Sequence, residues 1–598
     1  MKLNNLYILS LSIIIVSCGG GGGNNKPEPN IPPVVDFIAP SEVAENSSVV
    51  LISNSIDPDG SIQSHEWSQI SGPLVILSPI NTTSVSFISP DVSTVTNLTF
   101  LLSVTDNQGA VTSSEDILVK VMPSMADNSL ITDNNILLEN LDSPFLNMVE
   151  IDNIIEDLES ITYKILSRPE SIVNNFTVTH FKEKLNLNNE KIIIPVIGFY
   201  EDYLNQLDFI FTFTDGSQKI ISKQHQTSSY DASTKIEVVL PPNDTVRPSF
   251  DYFYLKRFGG PMLVDIDGYT RWINTQSSWS MYFDDEENQF YFGLQNKIGK
   301  LKLDGTIEFN EILSDDLLDI EVHHEVSKGK VGHLVEINAS YDGKTQIIES
   351  ILIEVDSFGN ILNTWDMGKI FRQYMISNSD DPSNFVIDGE DWCHMNSSIY
   401  NPQDNSILIS CREDFVAKID YTSKEIIWLL GDETKHWYVN FPSLQDLSLN
   451  SLDTKPIGQH SLSIYDGHIS LFNNGFNSFR QPEGAPNGIN LSESRATIYE
   501  INESENTATA IFDYTDSKYS DICSSFYSDP YSDEKDFLVL FTAVNRVNLD
   551  EEWYSSIQGI NSNKQKLFEL KIPKERGVNQ PCRDGWNAQI FSSNVIFN

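Results

Sequence analysis

Short runs of alternating apolar and polar residues, broken by turns bearing Gly, Asn and Asp, fill most of the chain, and a period of two predicts strands rather than helices. Over residues 34–122 such runs fall at 48–52, 84–88, 98–104 and 116–121. Between them, Asp57-Pro58-Asp59-Gly60 and Asp106-Asn107-Gln108-Gly109 are turns, because Gly and Asn tolerate positive φ. Trp67 is the expected core aromatic, and the segment reads as an antiparallel sandwich. A polar linker runs from 123 to about 150. A second sandwich is expected over 147–245, where 191–197 and 207–213 have the pattern of buried strands and Thr214-Asp215-Gly216 makes a hairpin turn.

Residues 250–598 show no helical periodicity of useful length. A degenerate motif recurs instead: a strand, then Asp or Asn, a Gly-bearing turn, and a strand often carrying Trp. It stands at 263–272, 301–305, 353–359 (Trp365 beyond), 417–420 (Trp428 beyond), 498–501 and, weakly, 567–570. Six copies predict a six-bladed β-propeller. The expected fold class is therefore all-β, a six-bladed propeller preceded by two immunoglobulin-like β-sandwich domains.

Composition narrows the function. The 598 residues carry 39 Lys and Arg against 84 Asp and Glu, a formal charge of −45. So acidic a surface repels nucleic acid and anionic lipid headgroups, and an anionic small substrate needs its own local positive charge. Five Cys are too few for a disulfide-dense scaffold. The N-terminus has Lys2, an apolar run over 6–16, and Ser17-Cys18, the layout of a secretory signal too short to span a bilayer as a helix. Ile15-Val16-Ser17-Cys18 resembles a bacterial lipobox, which implies a signal peptide over 1–18 and lipidation of Cys18. The Gly- and Pro-rich residues 19–33 read as a flexible tether. The expected location is the cell envelope, lipid-anchored at the outer membrane on its periplasmic or surface side.

The 10 His are placed informatively. His323-His324, His394 and His460 each read as the start of a hairpin. In a propeller, residues that begin the innermost strands of different blades converge on the axis, so these distant His are expected to meet. With the turn of the middle hairpin centred on Gln403, His394 pairs with Arg412 on one face, since cross-strand partners share a face. Cys393 and Cys411 fall on the other, close enough for a disulfide or equally two buried thiols; Cys523 and Cys582 are the second candidate pair. Three His would suit Zn²⁺, but an Arg among them suits a tetrahedral oxyanion gripped in bidentate fashion. One neutral His then serves as nucleophile and another as acid or base, which reads as transfer of an oxyanion group through a covalent His intermediate. Spacing does not choose sulfuryl over phosphoryl.

HHEV at 323–326, DWCHMNSSIYNPQDNSILISCR at 391–412, WLLGD at 428–432, GQHSLSIYDGHISLFNNG at 458–475 and IPVIGFYEDYLNQ at 194–206 resemble the bacterial arylsulfate sulfotransferase family. DPDGSIQSHEW and LLSVTDNQGAV resemble PKD-type domains, an addition to that family's plan. There Asp57 and Asp59 are a candidate Ca²⁺ pair, with a plain Asx-turn favoured because only two carboxylates are in view. The family resemblance implies sulfuryl transfer from an aryl sulfate donor to a phenolic acceptor, without nucleotide sulfate donor, cofactor or metal. It implies that His460 is the nucleophile, that His394, Arg412 and His324 surround the sulfuryl group with His323 as the other member of the pair, and that Asn396 contacts an oxygen. Ser524 or Ser525 stands for the hydroxyl the family draws from a later blade. Cys393 departs from the aromatic residue common there, which bears on the acceptor pocket. A homodimer is admitted. The rival readings are a metal-dependent propeller lyase or hydrolase using the same His, and a surface lipoprotein that binds glycans or proteins.

Overall fold

The computed structural model describes residues 29–598 except 93, 123–135, 141–142, 153–156, 189–190, 231–235, 244, 258–259, 279, 452, 519, 521–523, 529–535, 545–552, 574–586, 593 and 598. The signal segment with Cys18, most of the tether, and Cys523 and Cys582 lie outside the described residues. Two compact units divide at residue 126.

In the first unit, one sheet joins Phe37–Ile38, Ser48–Ser53 and Ser84–Ile88, and another joins Glu42–Ala44, Ile117–Met122, Thr96–Asp106 and Ile62–Ser71. Ser48–Ser53 alternates exposed and buried residues along its length, the period of a half-buried strand. Val49, Leu51, Phe87, Phe100, Leu102 and Trp67 form the core. Trp67 is buried as expected, with its indole N–H donating to the Thr82 carbonyl at 3.1 Å. Asp57 makes an Asx-turn: the Asp59 amide donates to its Oδ1 at 3.4 Å.

The second unit opens with two sheets of a sandwich. Asn186–Asn188, Lys191–Ile197, Leu146–Asp152 and Ile136–Asn140 form one. Gln218–Gln226, Leu204–Phe213, Leu158–Ile165 and Phe176–Phe181 form the other, to which Asn594–Phe597 adds in parallel. Six further antiparallel sheets follow. The first, Tyr252–Lys256, Met262–Asp265 and Thr270–Ile273, is completed by Asn587–Phe591 from the far end of the chain. The others begin at Ser280–Asp284, Leu318–Lys328, Met395–Asn401, His460–Tyr465 and Ser525–Ser528. Each of these leading strands packs on the next, and Ser525–Ser528 packs on Asn587–Phe591. Gln589 returns to Ser280–Asp284 by accepting from the Phe283 amide at 3.2 Å and donating to its carbonyl at 3.1 Å.

The recurrent sequence motif has one structural meaning. At 263–272, 301–305, 353–359, 417–420 and 498–501 it lies on the hairpin between a sheet's last two strands, counted from the leading one. At the first four an Asp caps the turn, as where Asp356 Oδ1 accepts from the Phe358 and Asn360 amides, and after 498–501 Asn502 Oδ1 accepts from the Glu505 amide. The copy at 567–570 falls one strand late, on Lys566–Pro573.

Two expectations are corrected. Residues 250–598 do contain a helix, Met367–Ser377, capped by Asp366 accepting from the Lys369 amide, with Met367, Phe371 and Met375 buried at helical spacing. His323 and His324 do not open a hairpin; they sit inside Leu318–Lys328, whose pairing to His333–Ser340 shifts register between Val322 and Val326.

Candidate active site

Every hairpin that carries a singled-out His loses its regular register at that point. The shift between Val322 and Val326 holds His323 and His324, that between Met395 and Ser397 holds Asn396, and that between His460 and Ser463 follows His460. Such bulges re-aim side chains out of the pleat and recur beside active sites.

The bulge at Asn396 also sets the middle hairpin. Asn401 pairs with Ser406, a register that would carry Met395 to Arg412; the shift restores Met395 to Cys411. The Arg412 amide therefore donates to the His394 carbonyl at 3.2 Å, and the expected pairing of His394 with Arg412 holds at the hairpin's open end only. Cys393 and Cys411 form a disulfide immediately before these two residues. Arg412 is buried, donates to Glu413 Oε1 at 2.7 Å and lies 4.4 Å over the Phe479 ring.

His460 is buried. Its Nδ1 lies 2.7 Å from Asn474 Oδ1 and 3.3 Å from the Gly458 carbonyl. Asn474 is oriented by its own amide, which donates to the Ser520 carbonyl at 2.8 Å. Both neighbours of Nδ1 accept, so Nδ1 carries the proton and Nε2 keeps a lone pair. Burial, then the Arg412 charge, pushes His460 down to about 3, so the ring is neutral.

His394 is the opposite case. It has φ of +50°, a conformation that costs a non-glycine residue about 1–3 kcal/mol and gathers at functional sites. Its Nδ1 lies 2.8 Å from Asp391 Oδ2 and 2.5 Å from Glu349 Oε2, and its amide donates to Asp391 Oδ1 at 3.0 Å. Arg480 pairs with the same Asp391 oxygen, Oδ2. Burial lowers the His394 pKa, but the two carboxylates outweigh it and raise the group to about 9. Its ring meets that of His324 edge-on at 4.8 Å between centroids. His324 is held well below the ordinary value by burial and then by His394, and burial takes His323 down to about 4. The Nδ1 atoms of His323 and His324 are 3.0 Å apart.

The remaining residues support this cluster. Asn396 donates from its amide to the Gln459 carbonyl at 2.9 Å, bracing the peptide before His460. Ser524 Oγ accepts from the Thr542 amide at 3.1 Å and lies 2.5 Å from Ser520 Oγ, in the group that orients Asn474; Ser525 Oγ accepts from the Ala588 amide. Glu349, Asp391, Asn474 and Arg480 were not picked out from the sequence. Asp391 had a signal, three residues before His394 in DWCH; Glu349 had none, since a bulge in a different sheet delivers it.

Among the described residues, two donor groups have the composition of a cation site: His323 with His324 and Glu336, and His324 with Glu349 and His394. In the second, the 2.5 Å contact of His394 Nδ1 with Glu349 Oε2 is an ion pair, far shorter than the about 3.3 Å between ligands of a tetrahedral zinc ion. In the first, Nδ1 of His323 lies 3.9 Å from Glu336 Oε2, a spacing a cation can bridge.

The site thus sets a buried neutral imidazole, His460, in the field of Arg412 and near a second imidazole, His394, whose cation two carboxylates favour. The arylsulfotransferase (ASST) profile matches residues 203–581, and the chain belongs to that family. A PKD domain profile matches residues 39–121. The arylsulfate sulfotransferase AssT of Lelliottia amnigena is 23% identical over 295 residues, covering 42% of this chain and 48% of the relative. AssT of Escherichia coli O6:H1 (strain CFT073) is 22% identical over 298 residues, with the same coverage. The chain thus spans about half the length of the curated relatives it matches. The β-propeller domain of Myceliophteria thermophila Cps50 (Swd1) is similar at a TM-score of 0.27 and 8% identity, over 57% of this chain and 96% of that one, too slight a likeness to bear on the fold.

Proposed function

We propose that the chain is an aryl-sulfate sulfotransferase that moves a sulfuryl group from an aryl sulfate ester to a phenol through a sulfohistidine, without a nucleotide sulfate donor. The observation that carries this reading is His460, neutral, proton fixed on Nδ1, in the field of Arg412. Its Nε2 attacks sulfur in line; the S–N bond forms as the S–O bond breaks, and the leaving phenol oxygen takes a proton from His394. Arg412, with His324 and Asn396 beside it, holds the sulfuryl oxygens as charge redistributes. The acceptor phenol then returns its proton to His394 and attacks sulfur, and the S–N electron pair goes back to His460. The six sheets serve as the blades of a propeller whose innermost strands present these side chains together. Cys18 is the lipid anchor holding the enzyme in the cell envelope.

The test mixes the chain from Asn24 onward with p-nitrophenyl sulfate, with and without phenol, beside His460→Ala. Phenol-dependent release of p-nitrophenol that His460→Ala abolishes is expected; a variant that keeps most of the activity overturns the mechanism. A second reading, metal-dependent chemistry, rests on the His323–His324–Glu336 spacing. Metal analysis and loss of activity in EDTA would favour it.

A further inference from the structure

His394 and Glu349 come from different sheets, and both sit in backbone that ordinary residues avoid. Glu349 has φ of +46° and lies where the pairing of Ile347–Val355 with His333–Ser340 shifts register. Its amide donates to Asn338 Oδ1 at 2.7 Å, so a side chain from the neighbouring strand supports the bulge. The bulge turns the carboxylate away from the ladder and onto His394, with Oε2 at 2.5 Å from Nδ1 and 3.9 Å from Nδ1 of His324. Two left-handed residues meeting through one close ion pair is an expensive arrangement, and bulk stability gives no reason to keep it.

The groups facing His394 are Asp391 from its own loop, Glu349 from Ile347–Val355, and His324 from Leu318–Lys328; Arg480 pairs with Asp391 at the oxygen His394 contacts. The Arg480 guanidinium divides the charge of Asp391, whereas Glu349 faces the imidazoles of His394 and His324. With Nδ1–H donated to Asp391 and faced by the Glu349 carboxylate, Nε2–H is the proton His394 can offer elsewhere.

We infer that Glu349 is a positioning residue for the acid step: its carboxylate fixes the His394 ring and its charge state so that Nε2–H protonates the departing phenol oxygen, which equips the enzyme for unactivated aryl sulfates. This rests on the sulfuryl-transfer reading. An activated donor such as 4-nitrophenyl sulfate releases a stable phenolate and hardly needs the proton. An ordinary phenol does need it, and general-acid help is worth about 100-fold or more.

The experiment measures donor kcat/KM for 4-nitrophenyl sulfate and for phenyl sulfate, with 4-methoxyphenol as acceptor, in the full chain and in Glu349→Gln. Expected is a loss of about 100-fold for phenyl sulfate, carried by kcat, against less than about 5-fold for 4-nitrophenyl sulfate. Equal losses for both donors would make Glu349 a merely structural residue, and no loss for either would remove it from the mechanism; each outcome overturns the inference. Should Glu349→Gln not fold by circular dichroism, Glu349→Asp, which keeps the charge but withdraws it from Nδ1, is judged by the same ratio. Wild-type chain inactive on both donors, or His460→Ala active, would instead bring down the sulfuryl-transfer reading and this inference with it.

Discussion

Nδ1 of His460 lies 2.7 Å from Oδ1 of Asn474, and Asn474 cannot flip without losing its bond to the Ser520 carbonyl. One neutral amide therefore fixes the tautomer without adding charge. Asn474→Asp would place a carboxylate on the same proton and stabilise the imidazolium, which is no nucleophile. The acid limb of the kcat/KM–pH profile should then move up by about one unit or more. Asn474→Leu, which leaves the ring unheld, should lower kcat about 10- to 100-fold at neutral pH. An unmoved profile in Asn474→Asp would mean that the amide does not set the tautomer.

The Cys393–Cys411 disulfide joins the residues that precede His394 and Arg412. Breaking it frees the open end of the hairpin where the regular register has already been lost. Cys411→Ser should cost about 2–4 kcal/mol in urea unfolding. Because the freed end carries both side chains, kcat should fall further than the stability loss alone explains when measured well below the unfolding temperature.

Acid should act on the sandwich through His180. Burial holds this imidazole down to about 4, whereas the unfolded chain protonates it near 6.5. The folded state thus binds fewer protons across that window, so this contribution is complete above about 6.5 and is lost as pH falls toward 4. His180→Phe removes the linkage. Its stability relative to wild type should improve by about 1.4 kcal/mol for each unit of acidification between those limits, read from urea midpoints. A constant difference would show that His180 is not linked to folding.

Arg271 is fully buried with Asp265, 3.1 Å from its carboxylate, and also donates to the Gly198 carbonyl at 2.8 Å with its guanidinium 3.7 Å over Tyr200. It joins the sandwich to the first of the six sheets. Arg271→Ala strands the Asp265 carboxyl and should cost about 3–5 kcal/mol, while Arg271→Met with Asp265→Asn should recover much of that. Denaturant unfolding of the three chains decides it.

The sequence exposed those features that repeat or that concentrate a rare residue. The recurrent Asp- or Asn-bearing turns are legible because five of them close the hairpin between a sheet's last two strands, and the His because 10 in 598 stand out. A turn centred on Gln403 pairs His394 with Arg412; the actual centre lies between Gln403 and Asp404, and the bulge at Asn396 shifts the register back by one. Bulges are what a period of two cannot display, so Glu349 and the interior position of His323 and His324 stayed hidden. The helix was legible in principle, since Met367, Phe371 and Met375 stand four residues apart, but it is short and lies among strands.

Residues 587–591 complete the first of the six sheets and 594–597 an edge of the sandwich, and Gln589 bonds to a residue 306 positions earlier. A chain emerging from the ribosome holds both sheets unfinished until residues 587–597 have been made. Folding that waits on so distant a partner is slow, and the open edges persist meanwhile as sites for wrong pairing.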